Sequence, residues 1–139
     1  MSGMTLQTTG ELDLVLTETI FLSQDFVNNI LLQISAIKAF VPEKEYAWNL
    51  QLSALSLDIT NFVELTTLLS KIVMTKKKVS LSQVKDSHVH LLFILKGINQ
   101  AQQKHDALVL EDLIKYELKD NLTQWKIDLI PLIKRLLNA

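Results

Sequence analysis

Apolar residues along this chain recur every three or four positions, the period of an amphipathic α-helix. Thr8-Thr9-Gly10-Glu11 has the spacing of a capping box, with a threonine oxygen to accept from a first-turn amide and Glu11 to reach back. From there to about Phe40, Leu12, Val15, Leu16, Ile20, Phe26, Ile30, Ile34 and Ile37 fall at helical spacing, uninterrupted by glycine or proline beyond the cap. Pro42 punctuates, because the residue before a proline avoids helical geometry, so a first helix is expected to stop near Val41. Pro42 also suits the first turn of a second helix, with Glu43 and Glu45 near its positive end. That helix reaches about Met74 on a stripe of Trp48, Leu52, Leu55, Ile59, Phe62, Leu69 and Val73.

Lys76-Lys77-Lys78 reads as a turn, placed where cations suit the negative end of the helix before it. Ser80-Leu81-Ser82-Gln83 is a second candidate capping box. A third helix runs to about Gln103 with Leu81, Val84, Leu91, Leu95 and Ile98 inward, and Asp106 is a natural N-cap for a fourth. The fourth carries Leu110, Leu113, Ile114, Leu118, Leu122, Trp125 and Leu129 until Pro131, whose ring clashes with the carbonyl four residues back and should kink or split it. Four helices of ~40 Å joined by short connections predict an all-α, up-down-up-down four-helix bundle with a Pro-kinked last helix. Residues 1–7 are expected to be a disordered tail and 8–139 a single domain. The competing fold pairs long helical hairpins from two chains into an intertwined dimer.

Composition sharpens this. Of the 139 residues, 48% are hydrophobic and 21% charged, which excludes intrinsic disorder, and only 3 glycines and 2 prolines leave too few turn residues for a β-sandwich or barrel. The absence of cysteine removes thiol chemistry and cysteine zinc sites, and fits the cytoplasm. A formal net charge of −1 supplies no basic field for nucleic acid. The N-terminus has no cation ahead of an apolar run, unlike a secretory signal, and polar residues interrupt every window of transmembrane length, so no integral membrane segment is expected.

Candidate chemistry is sparse. His88 and His90 lie about 200° apart on a helix and cannot share a metal, while Asp86 and His90, at i,i+4, supply only two ligands. Leu95-Lys96-Gly97 matches the tail of a histidine phosphotransfer motif, but the position three before Lys96 is Phe93 and His90 is six before it. Glu111-Asp112 and Glu117 with Asp120 alternate with Lys115 and Lys119, the pattern of a solvated face, with Glu111 and Lys115 in the favourable order. No Walker loop or dinucleotide fingerprint is present. No cofactor or metal is expected, and no enzyme.

The remaining lead is an apolar surplus, a mean hydropathy of +0.22. Leu14, Phe21, Leu22, Val27 and Leu31 lie outside the first stripe, and Leu91-Leu92-Phe93-Ile94-Leu95 is apolar nearly all round. The end of the chain, from Ile127 to Leu137, has a wide apolar face beside Lys134 and Arg135. It can close the core, dock another chain, or lie on a membrane surface. Trp125, Ile130, Ile133, Leu136 and Leu137 are the candidate partner-binding residues.

The stretch Ala101-Gln102, Asp106, Leu110-Glu111-Asp112-Leu113-Ile114-Lys115-Tyr116-Glu117-Leu118 and Trp125 resembles a recurring C-terminal segment of small bacterial helical-bundle proteins without assigned activity. The resemblance implies a bacterial helical domain. The helix–Asp turn–helix arrangement is also similar in rhythm to the flagellar export chaperones, which hold an amphipathic tail of their client. The reading reached is a non-enzymatic adaptor or chaperone-like module binding a partner helix in an apolar groove. The alternatives are a structural homodimer and a histidine phosphotransfer domain using His90.

Overall fold

The computed structural model describes residues 2–37 and 42–138, and among them every element is helical. Helix α1 spans Ser2–Ala36, a 3-10 turn at Pro42–Lys44 leads into α2 at Glu45–Lys77, and α3 spans Ser82–Gln103. A fourth run, α4 (107–138), is α-helical at Ala107–Asp112, Lys119–Gln124 and Ile130–Asn138, with π-helical turns at Leu113–Leu118 and Trp125–Leu129 between them.

Several sequence expectations meet these boundaries. Asp106 caps α4, its Oδ1 accepting from the Val109 amide at 3.2 Å. Helical backbone begins at Ser2, ahead of the Thr8–Glu11 box and through the stretch expected to be a loose tail. The expected stop of the first helix near Val41 lies outside the described residues, as does the side chain of Leu12. The Ser80–Gln83 box does not form. The N-cap of α3 is Leu81, which makes no side-chain cap bond and instead buries its side chain in the core. Helix α2 runs past Met74 to Lys77, so only Lys78 of the lysine triplet turns the chain.

The core follows from periodicity. In α2, Trp48, Leu52, Leu55, Ile59, Phe62, Thr66, Leu69 and Val73 are all buried, alternating steps of four and three. That heptad rhythm keeps one stripe facing the neighbouring helices. In α1 the buried row is Leu16, Ile20, Ser23, Val27, Ile30 and Ile34, continued by Ile37 just past its end, in the same rhythm. Val27 therefore faces inward, Phe26 is half-buried, and Val15 is exposed, a reversal of the sequence reading at positions 15 and 27. Core hydroxyls are satisfied locally: Ser23 donates to the Thr19 carbonyl at 2.9 Å and Ser70 to that of Thr66 at 2.7 Å.

Contacts fix the direction of each neighbouring pair. Asp13 pairs with Lys76, and Gln33 donates to Asp58 at 2.6 Å, so α1 and α2 run antiparallel. Thr66 meets His88 at 2.7 Å while Gln102 donates to Asn49 at 3.1 Å, so α2 and α3 are antiparallel too. Asn121 meets Ser87 and His90, and Gly97 lies against Leu113, which sets α4 antiparallel to α3. A Cβ on Gly97 would stand 3.1 Å from Leu113 Cδ1, so this glycine permits the close α3–α4 approach.

Lys78, the C-cap of α2, has φ 54°, and His105 has φ 55°. This left-handed geometry costs an L-residue about 1–2 kcal/mol and is usually given to glycine. Replacing Lys78 by Gly is expected to stabilise the chain by about 0.5–1 kcal/mol, the gain being trimmed by glycine's greater freedom when unfolded. Chemical denaturation of the two proteins side by side checks it, and a destabilised variant contradicts it.

Candidate functional site

The five C-terminal residues singled out from the sequence are where the structure departs most from a docking surface. Trp125, Ile130 and Ile133 are buried in the chain's own core, and Leu136 and Leu137 are half-buried against it. The stripe that looked available to a partner is the inner face of α4.

Trp125 occupies the point where three helices converge. Phe62 of α2 meets its ring edge-on, with centroids 5.2 Å apart and planes at 86°. His88 of α3 lies 4.9 Å from it at 33°. The hydroxyl of Thr66 lies 2.8 Å from the Phe62 carbonyl, to which it donates, and 2.7 Å from His88 Nε2, so a proton on Nε2 satisfies both contacts. Burial pulls the His88 pKa below its usual 6.5.

His90 is held differently. The Asn121 amide nitrogen faces the Ser87 carbonyl at 3.2 Å, which fixes the amide's orientation, and the same nitrogen lies 3.2 Å from His90 Nδ1. Nδ1 is therefore the acceptor and the exposed Nε2 carries the proton in the neutral ring. An outward nitrogen without a lone pair is a poor nucleophile for phosphoryl transfer. Asp86 is exposed beside it, and among the described residues no three His, Asp or Glu side chains gather to hold a metal. Glu111 and Lys115 form the expected pair at 3.2 Å. Two buried polar atoms one helical turn apart, Asn121 Oδ1 and Trp125 Nε1, have no hydrogen-bond partner among the described residues.

The concave feature lies elsewhere, between α2 and α3. A solvent-open cavity of about 470 Å³ is lined by Met74 and Lys71 on one bank and by Lys85, Val89 and Leu92 on the other, over Leu81, Val84 and Ser70. His88 forms part of its wall. Leu81, Val84 and Ser70 are buried, whereas Val89 is 61% and Leu92 51% exposed, so apolar surface stands open to water on the α3 bank. Sequence reading registered the all-round apolar character of this part of α3 but not the groove, which needs the placement of α2 beside it.

No family model matches the chain, and neither curated proteins nor solved structures yield a match. Among the described residues one helix, α2, is long and apolar enough by composition to cross a membrane, with a mean hydropathy of 1.2 in its most apolar window, of which 39% is buried inside the protein.

Two outcomes follow from this geometry. A histidine whose folded pKa is depressed leaves the unfolded chain holding more protons below pH 6.5, so stability is full above that value and falls as pH drops toward the folded pKa. Replacing His88 by Asn should reduce that acid-side slope in denaturation midpoints measured across the range, and an unchanged slope contradicts the assignment. Replacing Ile133 by Asp places a carboxylate at a fully buried position and should cost several kcal/mol, seen as lost helical circular dichroism. A folded Ile133→Asp protein would return this residue to the docking surface.

Proposed function

We propose that the chain is an up-down-up-down four-helix bundle that works as a non-enzymatic adaptor or chaperone-like module, seating an amphipathic helix of a protein partner between α2 and α3. Antiparallel contacts between each sequence-adjacent pair of helices support the bundle. The same reading has α4 bent ahead of Pro131. The π turn at Trp125–Leu129 immediately precedes that proline, and the Ile130 amide donates to the Trp125 carbonyl five residues back. A wider turn there relieves the clash between the proline ring and the carbonyl of Ile127.

The groove is the observation that carries the function. Two antiparallel helices with apolar side chains along their shared edge form a furrow into which a third helix lays its ridge. On the α3 bank Lys85, Val89 and Leu92 follow i, i+4, i+7, and on the α2 bank Thr67, Lys71 and Met74 do the same, giving each wall about two turns. A second reading, a structural homodimer, draws on a different observation. Leu14 and Phe21 on α1, and Leu50 and Leu57 on α2, are exposed one heptad apart, the spacing of an unpaired helical seam.

The test uses a fluorescent amphipathic peptide with leucines at i, i+4 and i+7 and glutamates on both flanks. Wild-type protein should bind it, and the double variant Val89→Asp, Leu92→Asp should lose at least tenfold in affinity by anisotropy. Both positions are exposed, so helical circular dichroism should not change. Equal binding by wild type and double variant overturns the groove reading.

A further inference from the structure

The charged side chains that line the groove are both lysines. Lys71 and Lys85 stand on opposite banks, and no carboxylate lines the cavity. Neither lysine takes part in a side-chain hydrogen bond or ion pair among the described residues. From Lys71 through Lys85 the sequence holds five lysines and no acid. An apolar trough walled by unpaired cations selects an apolar helix flanked by acids.

The chain carries such a helix itself. From Met1 to Ile37 every charged residue is acidic: Glu11, Asp13, Glu18 and Asp25. Leu14, Glu18, Phe21 and Asp25 follow i, i+4, i+7, i+11 along α1, and all four are exposed. Leu14 is 60% and Phe21 58% open to solvent, on a helix whose inner face is already committed to the core. Asp13 is engaged by Lys76, while Glu18 and Asp25 have no ion pair among the described residues. The exposed row of α3, Lys85, Val89, Leu92 and Lys96, likewise combines apolar residues with charges of one sign, here basic, the two apolar residues lying between the two lysines.

We infer that the groove between α2 and α3 receives the outer face of α1 from a second copy of this chain, with Leu14 and Phe21 laid along its apolar floor and walls and with Glu18 and Asp25 set against groove lysines. The inference rests on reading the groove as a seat for a helix. The Asp13–Lys76 pair places the first half of α1 beside the end of α2, at the same end of the molecule as the groove. Each copy therefore presents donor face and groove together, and the two contacts can close reciprocally about a two-fold axis rather than propagate as a filament.

Light scattering behind a sizing column, across a wide range of concentration, measures the association. Wild type should dimerise, more weakly as salt is raised. The groove variant Lys71→Glu, Lys85→Glu and the helix variant Glu18→Lys, Asp25→Lys should each raise the dimer dissociation constant at least tenfold. All four side chains are at the surface, so the fold should persist by circular dichroism. Mixed in equal amounts, the two variants should recover the dimer, because each groove then meets a helix of opposite charge. A wild type that stays monomeric, a dimer indifferent to both reversals, or a mixture that fails to recover overturns the inference. If the acidic peptide binds wild type while no dimer forms, self-docking is wrong and the partner-helix reading stands. If the dimer forms and responds to both reversals while the peptide does not bind, the partner reading is wrong and self-docking stands.

Discussion

The indole of Trp125 is the constraint on which the rest of the molecule depends. It is the bulkiest fully buried side chain, and α2, α3 and α4 each contribute to enclosing it. An edge-to-face ring such as Phe62 adds about 0.5–1.5 kcal/mol beyond the area it covers. The enclosure also draws His88 inward until its imidazole is partly desolvated and tied to Thr66. With His88 turned toward the indole, its neighbours along α3, Lys85, Val89 and Leu92, are left facing outward. The wall of the groove is thus a consequence of how the core accommodates one residue.

The four helices solve the packing problem in two ways. The α1 and α2 stripes step by four and three, which averages the heptad and holds a straight seam against a neighbour. In α4 the buried positions Leu110, Ile114, Leu118 and Leu122 step by four each time. On an ideal α-helix four residues turn about 400°, so such a row drifts about 40° per step and would leave the core within a few turns. The π turns at Leu113–Leu118 and Trp125–Leu129 widen the helix where that drift would accumulate. The later row of Trp125, Leu129 and Ile133 stays buried because of it. That gives α4 its irregular backbone without any glycine and with its only proline at 131.

Much of this was legible in the sequence. The helical class, a break near the lysine triplet and another before Asp106, and the apolar members of the α2 stripe follow from period and capping chemistry, whereas buried Thr66 does not. The failures have a common cause: periodicity says that a face is apolar, not what covers it. Leu81 is a poor N-cap by side-chain chemistry, yet the core takes its side chain and overrides the serines around it. Val15 and Val27 differ only in phase, and the heptad through Leu16 and Ile20 decides which is inside. The wide apolar face from Ile127 to Leu137 left core closure and docking both open, because nothing in one helix shows which neighbours close over it. The groove was invisible for the converse reason, being made by two helices whose facing sides are read separately. One signal was available: a first helix with acids and no cation, in a chain whose lysines gather at the next hairpin.

That separation of charge matters more than the near-neutral total. A net charge of −1 excludes a global field, but it is a total over the whole chain, which includes an acidic α1 and the lysine-rich run from Lys71 to Lys85, and a total hides where each sign sits. The exposed apolar residues cannot by themselves choose an occupant, since burial rewards any nonpolar surface about equally per unit area. Opposite charges beside those apolar residues do choose, because a mismatched neighbour places like charges together and pays desolvation for nothing in return. The apolar excess supplies the drive to cover α1 and the groove. The segregation of acids from lysines supplies a preference for an acidic helix over a basic one.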